Sequence, residues 1–220
     1  MENLNSSNTK FPSASEFDKA KDDRFSQAVH QKLKRASVAI AGAGGLGSNI
    51  AVMLARSGIG HLHIVDFDIV DITNLNRQVY TVRHIGSRKV DAIKEIIMEI
   101  NPYMRVTTDC VRIVADNCDE ILGGYDIVCE AFDVAESKAM LIDSLLSVED
   151  GPIVISGSGM AGYGSANEIR SRRITDRLFI CGDEGTDIGD GIGLMAPRVA
   201  ICAGHQANLV IGQTLGVDNI

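Results

Sequence analysis

The sequence predicts an α/β fold built on a doubly wound, mostly parallel sheet. Three observations predict it. Short aliphatic runs alternate with longer segments of helical period through the first two thirds of the chain. A glycine-rich string directly follows the first such run and opens the first helix of the alternation. With 220 residues, 45% hydrophobic and 23% charged, the chain can bury one sizeable core.

Residues 1–16 are rich in Asn, Ser and Thr with almost no apolar periodicity, and read as a flexible tail ahead of a single domain over 17–220. Over 17–35, Phe25, Ala28, Val29 and Leu33 recur at helical spacing, with acids early and bases late, which suits the helix dipole and predicts a leading amphipathic helix. A strand over 37–41 leads into a helix with Leu46, Ile50, Met53 and Leu54 on one face, and a second strand over 62–67 completes a βαβ unit.

The next helix, 87–101, turns Val90, Ile93, Ile96, Ile97 and Ile100 inward and is stopped by Asn101-Pro102. Then follow a strand over 105–111, a short helix over 115–122, a strand over 125–130, a helix over 134–148 and a strand over 153–156. Beyond Gly157 the alternation breaks into a glycine-rich antiparallel stretch and a turn-rich segment over 183–193. The last helix starts at Pro197 and carries Ala200, Ala203, Gly204 and Ala207, so it packs closely on its neighbours. The expected architecture is Rossmann-like, with an antiparallel C-terminal extension and a leading N-terminal helix.

Lys and Arg total 21 against 29 Asp and Glu, a formal charge of −8, which argues against bulk nucleic-acid binding. No apolar run approaches the roughly 18 residues of a membrane span, and the first residues lack the order of a secretion signal, so a cytoplasmic protein is expected. The five cysteines form no C-x-x-C and are odd in number, which indicates reduced thiols and neither a disulfide framework nor a zinc site. Cys129 and Cys202 lie in apolar patterns and read as small buried hydrophobes.

The string Gly42-Ala43-Gly44-Gly45-Leu46-Gly47 stands between strand and helix, where glycines allow a tight turn and the free amides of the helix start favour an anion. Asp66 follows about 20 residues later at a strand end, where a carboxylate can accept from both hydroxyls of a ribose. To this point NAD and ATP fit equally. The polar run that follows, with Asp68, Asn74, Arg77 and Gln78, departs from the dinucleotide pattern, and Arg77 offers a forked donor set suited to phosphate oxygens. Lys89 falls in the first turn of its helix, where a cation is unfavourable unless an anion lies nearby.

Together these residues carry a family resemblance. GAGGLGSN, DFDIVDITNLNRQ, Lys89, CEAFDVAESK with Asp133, and the Gly193-to-Pro197 helix start resemble the ThiF/MoeB/HesA family, relatives of ubiquitin-activating enzymes, over roughly residues 38–215. The wording of GAGGLGSN, AFDVAESKAML and GMAGYGS is most similar to a short ThiF-like subgroup of thiamine biosynthesis. The resemblance implies ATP-dependent adenylation of the C-terminal glycine carboxylate of a ThiS-like or MoaD-like β-grasp sulfur-carrier protein, by a homodimer. It implies that Gly42, Gly44, Gly45 and Gly47 form the nucleotide turn and that Asp66 holds the ribose. By the same matching, Asn74, Arg77 and Lys89 hold the phosphates, Gln78 and Asp68 adjoin them, and Asp133 holds Mg²⁺. Arg77, Lys89 and Asp133 are thus the expected catalytic residues.

The chemistry of the residues agrees with that implication. Attack of a carboxylate on an α-phosphate brings two anions together, so cations and a metal must neutralise the growing charge, and no acid or base is required. Asp133 could instead cap the next helix, and Asp68 could orient Arg77 or solvate a turn. Arg88 could take the place of Lys89, and Arg24 on the leading helix could serve a partner's site or be merely solvated.

Several features depart from the family. The paired C-x-x-C motifs of many relatives are missing, so no zinc is expected. Gly189-Asp190-Gly191 occupies the place of the usual reactive cysteine, with Cys181 a weak substitute upstream, and Val134 and Lys138 replace the usual Asn and Arg. His61 and His63 share a strand face, which could suit a metal pair, but with no third ligand they read as satisfied surface histidines. Arg170, Arg172, Arg173 and Arg177 read as a solvated strand and turn, or as a surface that receives an acidic carrier. The competing functions are an NAD(P)-dependent oxidoreductase, which leaves Asn74, Arg77, Lys89 and Asp133 without a task, and a nucleotide-binding regulator without turnover.

Overall fold

A computed structural model describes residues 11–220 apart from Ile188, Asp190 and Asn219. Residues 1–10 of the expected tail lie outside the described residues. The rest of that expectation is corrected, because α1 (Ala14–Phe25) begins inside it. Ser13 and Glu16 form a capping box, in which the Ser13 hydroxyl accepts from the Glu16 amide at 3.3 Å and Glu16 Oε2 accepts from the Ser13 amide at 2.7 Å. The leading helix is also two helices. Ser26 adopts φ 72° and ends α1, and its hydroxyl accepts from the Val29 amide to start α2 (Gln27–Arg35).

The alternation then runs β1 (Ser37–Ala41), α3 (Gly45–Ser57), β2 (His61–Val65), α4 (Lys89–Ile100), β3 (Arg105–Asp109), α5 (Ala115–Leu122) and β4 (Ile127–Glu130). It closes with α6 (Ala135–Leu146), β5 (Ile153–Gly157), β6 (Arg170–Thr175), β7 (Leu178–Gly182) and α7 (Ala196–Leu215). The seven strands lie in the order β3-β2-β1-β4-β5-β7-β6. All neighbours are parallel except β6 and β7, which form the antiparallel extension. β2 ends two residues earlier than expected, which leaves Asp66 and Phe67 in the loop beyond it.

Period-two alternation explains the layers. Val38, Ile40, Leu62 and Ile64 face one side, where Leu33 of α2, Ile50 and Leu54 of α3, Ile93 and Ile97 of α4, and Val210 of α7 pack on them. Ala39, Ala41, Val65, Val128 and Val154 face the other, under Cys118 and Leu122 of α5 and Leu141 and Leu145 of α6. Small residues on α7, among them Ala203 and Ala207, allow the close approach to the sheet and to α3 expected of that helix. Among the described residues no helix is long and apolar enough to cross a membrane.

The strand order also places the site. From β1 the chain winds outward to β3, then returns to β4 on the opposite flank of β1. Crossovers leaving the carboxyl ends of β1 and β4 therefore diverge, and a crevice opens between them.

Candidate functional site

That crevice is a cleft of about 750 Å³. It is lined by Gly42, Gly44, Gly45, Asp66, Asp68, Asn74, Arg77, Gln78, Lys89 and Asp133, so the structure brings together every expected site residue except Gly47. Phe67, Ile113 and Phe132 add apolar wall at its edge.

The glycine turn is dictated by packing. Gly42 has φ +98°, and a Cβ there would lie 2.9 Å from the Ala131 carbonyl oxygen at the end of β4. Gly47 lies beneath the turn, where a Cβ would fall 1.8 Å from the Gly42 oxygen. Its part is structural: it lets the first turn of α3 press against the end of β1. The N-cap of α3 is Gly44, with no side-chain cap, so the helix presents its first amides uncapped at the cleft. Asn49 braces this arrangement, its amide donating to the carbonyls of Gly45 at 2.7 Å and Arg77 at 3.0 Å.

Asp66 fastens the turn to the end of β2. Its Oδ2 accepts from the Ala43 amide at 2.6 Å and its Oδ1 from the Asp68 amide at 2.7 Å. Each oxygen retains acceptor capacity for a hydroxyl. Tyr80, buried beside it, donates to the Ala43 carbonyl at 2.7 Å, and burial and the neighbouring Asp66 carboxylate push its phenol pKa upward, which keeps it a donor.

The polar loop converges on the turn from the other side. Lys89 is buried at the start of α4 and its ammonium donates to Asp68 Oδ2 at 2.9 Å. Asp68 therefore pairs with Lys89 and does not orient Arg77, and Lys89 rather than the exposed Arg88 reaches the cleft. Asn74 is partly committed locally, its Oδ1 accepting from the Asp71 amide at 3.0 Å. Arg77 donates to Asn76 Oδ1 at 2.8 Å and to the Thr73 carbonyl at 3.3 Å. Arg77 Nε and Gln78 Oε1 are buried polar atoms without a hydrogen-bond partner, on two residues that line the cleft.

Asp133 is exposed in the loop after β4. The N-cap of α6 is Val134, so the capping reading of Asp133 is corrected. Behind the loop stands Glu130, which no sequence motif marks, fully buried at the end of β4 and paired with Lys138. A buried Arg198 on α7 pairs with Asp183 and donates to the Ser165 carbonyl at 2.5 Å, which ties the 183–187 segment to the helix start. Burial alone would raise the Asp183 pKa, but hydrogen bonds from Thr186 and Gly185 and the Arg198 charge hold it below the ordinary value. Neither pair has a local sequence signal, because the partners lie on separate elements.

Other expectations resolve away from the cleft. Arg24 is exposed at the end of α1 and does not line its own chain's cleft. His61 and His63 share the Thr107 hydroxyl at 2.9 and 3.0 Å, and His63 is buried and stacked on Tyr125, not a surface histidine. Arg172 pairs with Glu184, Arg173 with Asp218, and Arg177 donates to the Leu146 carbonyl, so these arginines are largely occupied. Cys181 is buried, and burial pushes its thiol pKa up to about 12. Among the described residues no group of three or more His, Cys, Asp and Glu is placed to hold a metal ion.

The fold and the cleft define a class: a doubly wound α/β protein with a polar cleft at the switch point of its sheet. The chain belongs to the ThiF family, whose model matches residues 19–220. It is 41% identical over 197 residues to the adenylyltransferase and sulfurtransferase MOCS3 of Culex quinquefasciatus, covering 86% of this chain and 44% of that one. It is 35% identical over 184 residues to the adenylyltransferase and sulfurtransferase UBA4 of Scheffersomyces stipitis, covering 77% of this chain and 41% of the other. The chain thus spans less than half the length of these curated relatives. Among solved structures, the tRNA N6-threonylcarbamoyladenosine dehydratase TcdA of E. coli, in complex with ATP, superposes with a TM-score of 0.81 at 22% identity, covering 94% of this chain and 98% of that one. At that identity the likeness is one of fold.

Proposed function

We propose that this protein is an ATP-dependent adenylyltransferase that activates the C-terminal glycine carboxylate of a β-grasp sulfur-carrier protein. The convergence of the uncapped α3 start, Lys89 and Arg77 on one cleft beside Asp66 carries this reading. An NAD-dependent oxidoreductase would have no use for the two cations, and the curated relatives are named as adenylyltransferases.

In the reaction, a carboxylate oxygen of the carrier attacks the α-phosphorus of ATP, the bond from that phosphorus to the bridging oxygen breaks, and pyrophosphate leaves with the electron pair. The products are an acyl-adenylate and pyrophosphate. No proton moves, so the protein's task is positioning and charge neutralisation. Asp66 receives the ribose hydroxyls, the glycine turn admits the phosphates close to the α3 amides, and Arg77 and Lys89 neutralise the triphosphate. Mg²⁺ fits the donor set, since it is commonly held by one or two carboxylates plus phosphate oxygens, and Asp133 offers one exposed carboxylate at the cleft. When bound it would shield the charge of the triphosphate.

The carrier is ThiS-like or MoaD-like, and the acting form is a homodimer. The motifs GAGGLGSN, AFDVAESKAML and GMAGYGS favour a thiamine role. The test is ATP–pyrophosphate exchange with Mg²⁺ and each carrier, with Arg77→Ala and Asp133→Ala as controls. Exchange that needs the carrier's terminal glycine and is lost in both variants supports the reading. Tight ATP binding without exchange on any carrier would reject adenylation in favour of a regulator, and protection from unfolding by NAD but not ATP would favour the oxidoreductase.

A further inference from the structure

Glu130 ends β4 with its side chain fully buried, and every contact of its carboxylate reaches a segment that borders the cleft. Oε1 accepts from the Phe132 amide at 2.6 Å and from Lys138 Nζ at 3.1 Å, while Oε2 accepts from the Ser156 hydroxyl at 2.5 Å and from Lys138 Nζ at 3.0 Å. The same ammonium donates to the Gly157 carbonyl at 2.9 Å. An ammonium has three protons, and here three acceptors take them. Lys138 therefore borders the cleft without a donor to spare for a phosphate, which separates it from Arg77 and Lys89.

What the pair does hold is the loop that carries Asp133. The Ala131 amide donates to the Ala41 carbonyl at 2.9 Å, pinning the loop to β1, and the Phe132 amide is pinned to Glu130. Two consecutive amides are thus fixed immediately before Asp133, and the second depends on a charged side chain held in place by Lys138 and Ser156. A buried ion pair is seldom a net gain in stability over apolar residues of similar volume.

We propose that Glu130 and Lys138 are positioning residues, whose ion pair, fully buried on the Glu130 side, locks the loop after β4 to the end of β5 and so sets where the Asp133 carboxylate stands for a nucleotide-bound divalent cation. This rests on the function proposed above, in particular on Asp133 as the carboxylate that meets the metal.

The experiment titrates Mn²⁺ into the full chain with ATP, without carrier, and follows free Mn²⁺ by electron paramagnetic resonance, with unfolding temperatures recorded in parallel. Asp133→Asn should weaken Mn²⁺ binding to the ATP complex. Lys138→Met should weaken it on the order of tenfold, the lower end of the scale for losing an outer-shell partner, while metal-free ATP binding stays close to that of the wild type. Lys138→Arg, which keeps a charged donor for the carboxylate, should retain most of the affinity. Because Lys138→Met strands a buried charge and can fail to fold, the double variant Glu130→Leu with Lys138→Met decides: it should recover the unfolding temperature but not the Mn²⁺ affinity. Wild-type Mn²⁺ affinity in the folded double variant would overturn the inference and leave the function standing. An unchanged affinity in Asp133→Asn would overturn the metal role of Asp133 and this inference with it.

Discussion

The ammonium of Lys89 lies 2.9 Å from Asp68 Oδ2 while the backbone amide of Lys89 donates, also at 2.9 Å, to the Asp68 carbonyl, so two residues that line the cleft are joined twice. The anion that excuses a cation in the first turn of α4 is thus built into the protein. On the function proposed above, a phosphate at this site would share Lys89 with Asp68.

Asp68→Asn removes that built-in anion. The free protein should lose about 1 to 2 kcal/mol, because the nearly buried Lys89 is left with a weaker partner. The rise in unfolding temperature produced by a fixed ATP concentration should become larger, since the nucleotide then supplies the missing charge. Differential scanning fluorimetry with and without ATP reads both quantities, and a smaller ATP-induced rise would show that Asp68 works with Lys89 on the ligand.

Gly47→Ala should be far more damaging than its size suggests. Its Cβ would fall 1.8 Å from the Gly42 oxygen, so the α3 start must move away from β1. A loss on the order of 3 kcal/mol is expected, at the upper end for overpacking, together with loss of protection by ATP. Urea unfolding measures the first and ligand-induced stabilisation the second. Gly44→Ala, whose Cβ would meet nothing nearer than 3.9 Å, should cost much less and serves as the control.

Thiol chemistry should single out Cys110. It is the exposed cysteine, whereas Cys118, Cys129, Cys181 and Cys202 are buried, and burial pushes the Cys181 pKa up to about 12. Native protein treated with iodoacetamide should carry label on Cys110, and the others should react only after denaturation, as mass spectrometry of the digested protein would show. Cys181→Ser should leave pyrophosphate exchange intact. Rapid native labelling of Cys181 would restore it as a candidate for a covalent step.

Acid should destabilise the protein through His63. Burial holds its folded-state pKa below the ordinary 6.5, only partly offset by Asp109 and Thr107. The folded state therefore binds fewer protons than the unfolded one. The stability this group contributes is present above pH 6.5 and is lost as the pH falls below it. His61, lowered by burial and by Arg105, adds in the same direction. Unfolding temperatures between about pH 7.5 and 5.5, the range where His titrates, should fall more steeply for wild type than for His63→Gln. Equal slopes would refute the assignment.

The alternation of strands and helices, and most of the residues that line the cleft, can be read from the sequence. The reason is that both are local: period-two and helical apolar patterns name the elements, and a glycine turn, a strand-end carboxylate and a polar loop advertise themselves within a few residues. Asp66, Arg77 and Lys89 were legible on those terms, and β1 and α5 appear over the expected residues. Tertiary structure alone decided the partnerships. That Asp68 serves Lys89, that Glu130 carries Lys138, Ser156 and the Phe132 amide, and that Arg198 reaches across to Asp183 all depend on packing between elements distant in sequence. The break at Ser26 and the burial of His63 belong with them, since a left-handed residue with a capping hydroxyl splits one amphipathic pattern into two helices, and Tyr125 covers a histidine that period alone leaves at the surface. A buried charge leaves no periodic trace, because its partner is chosen by the fold and not by its neighbours along the chain.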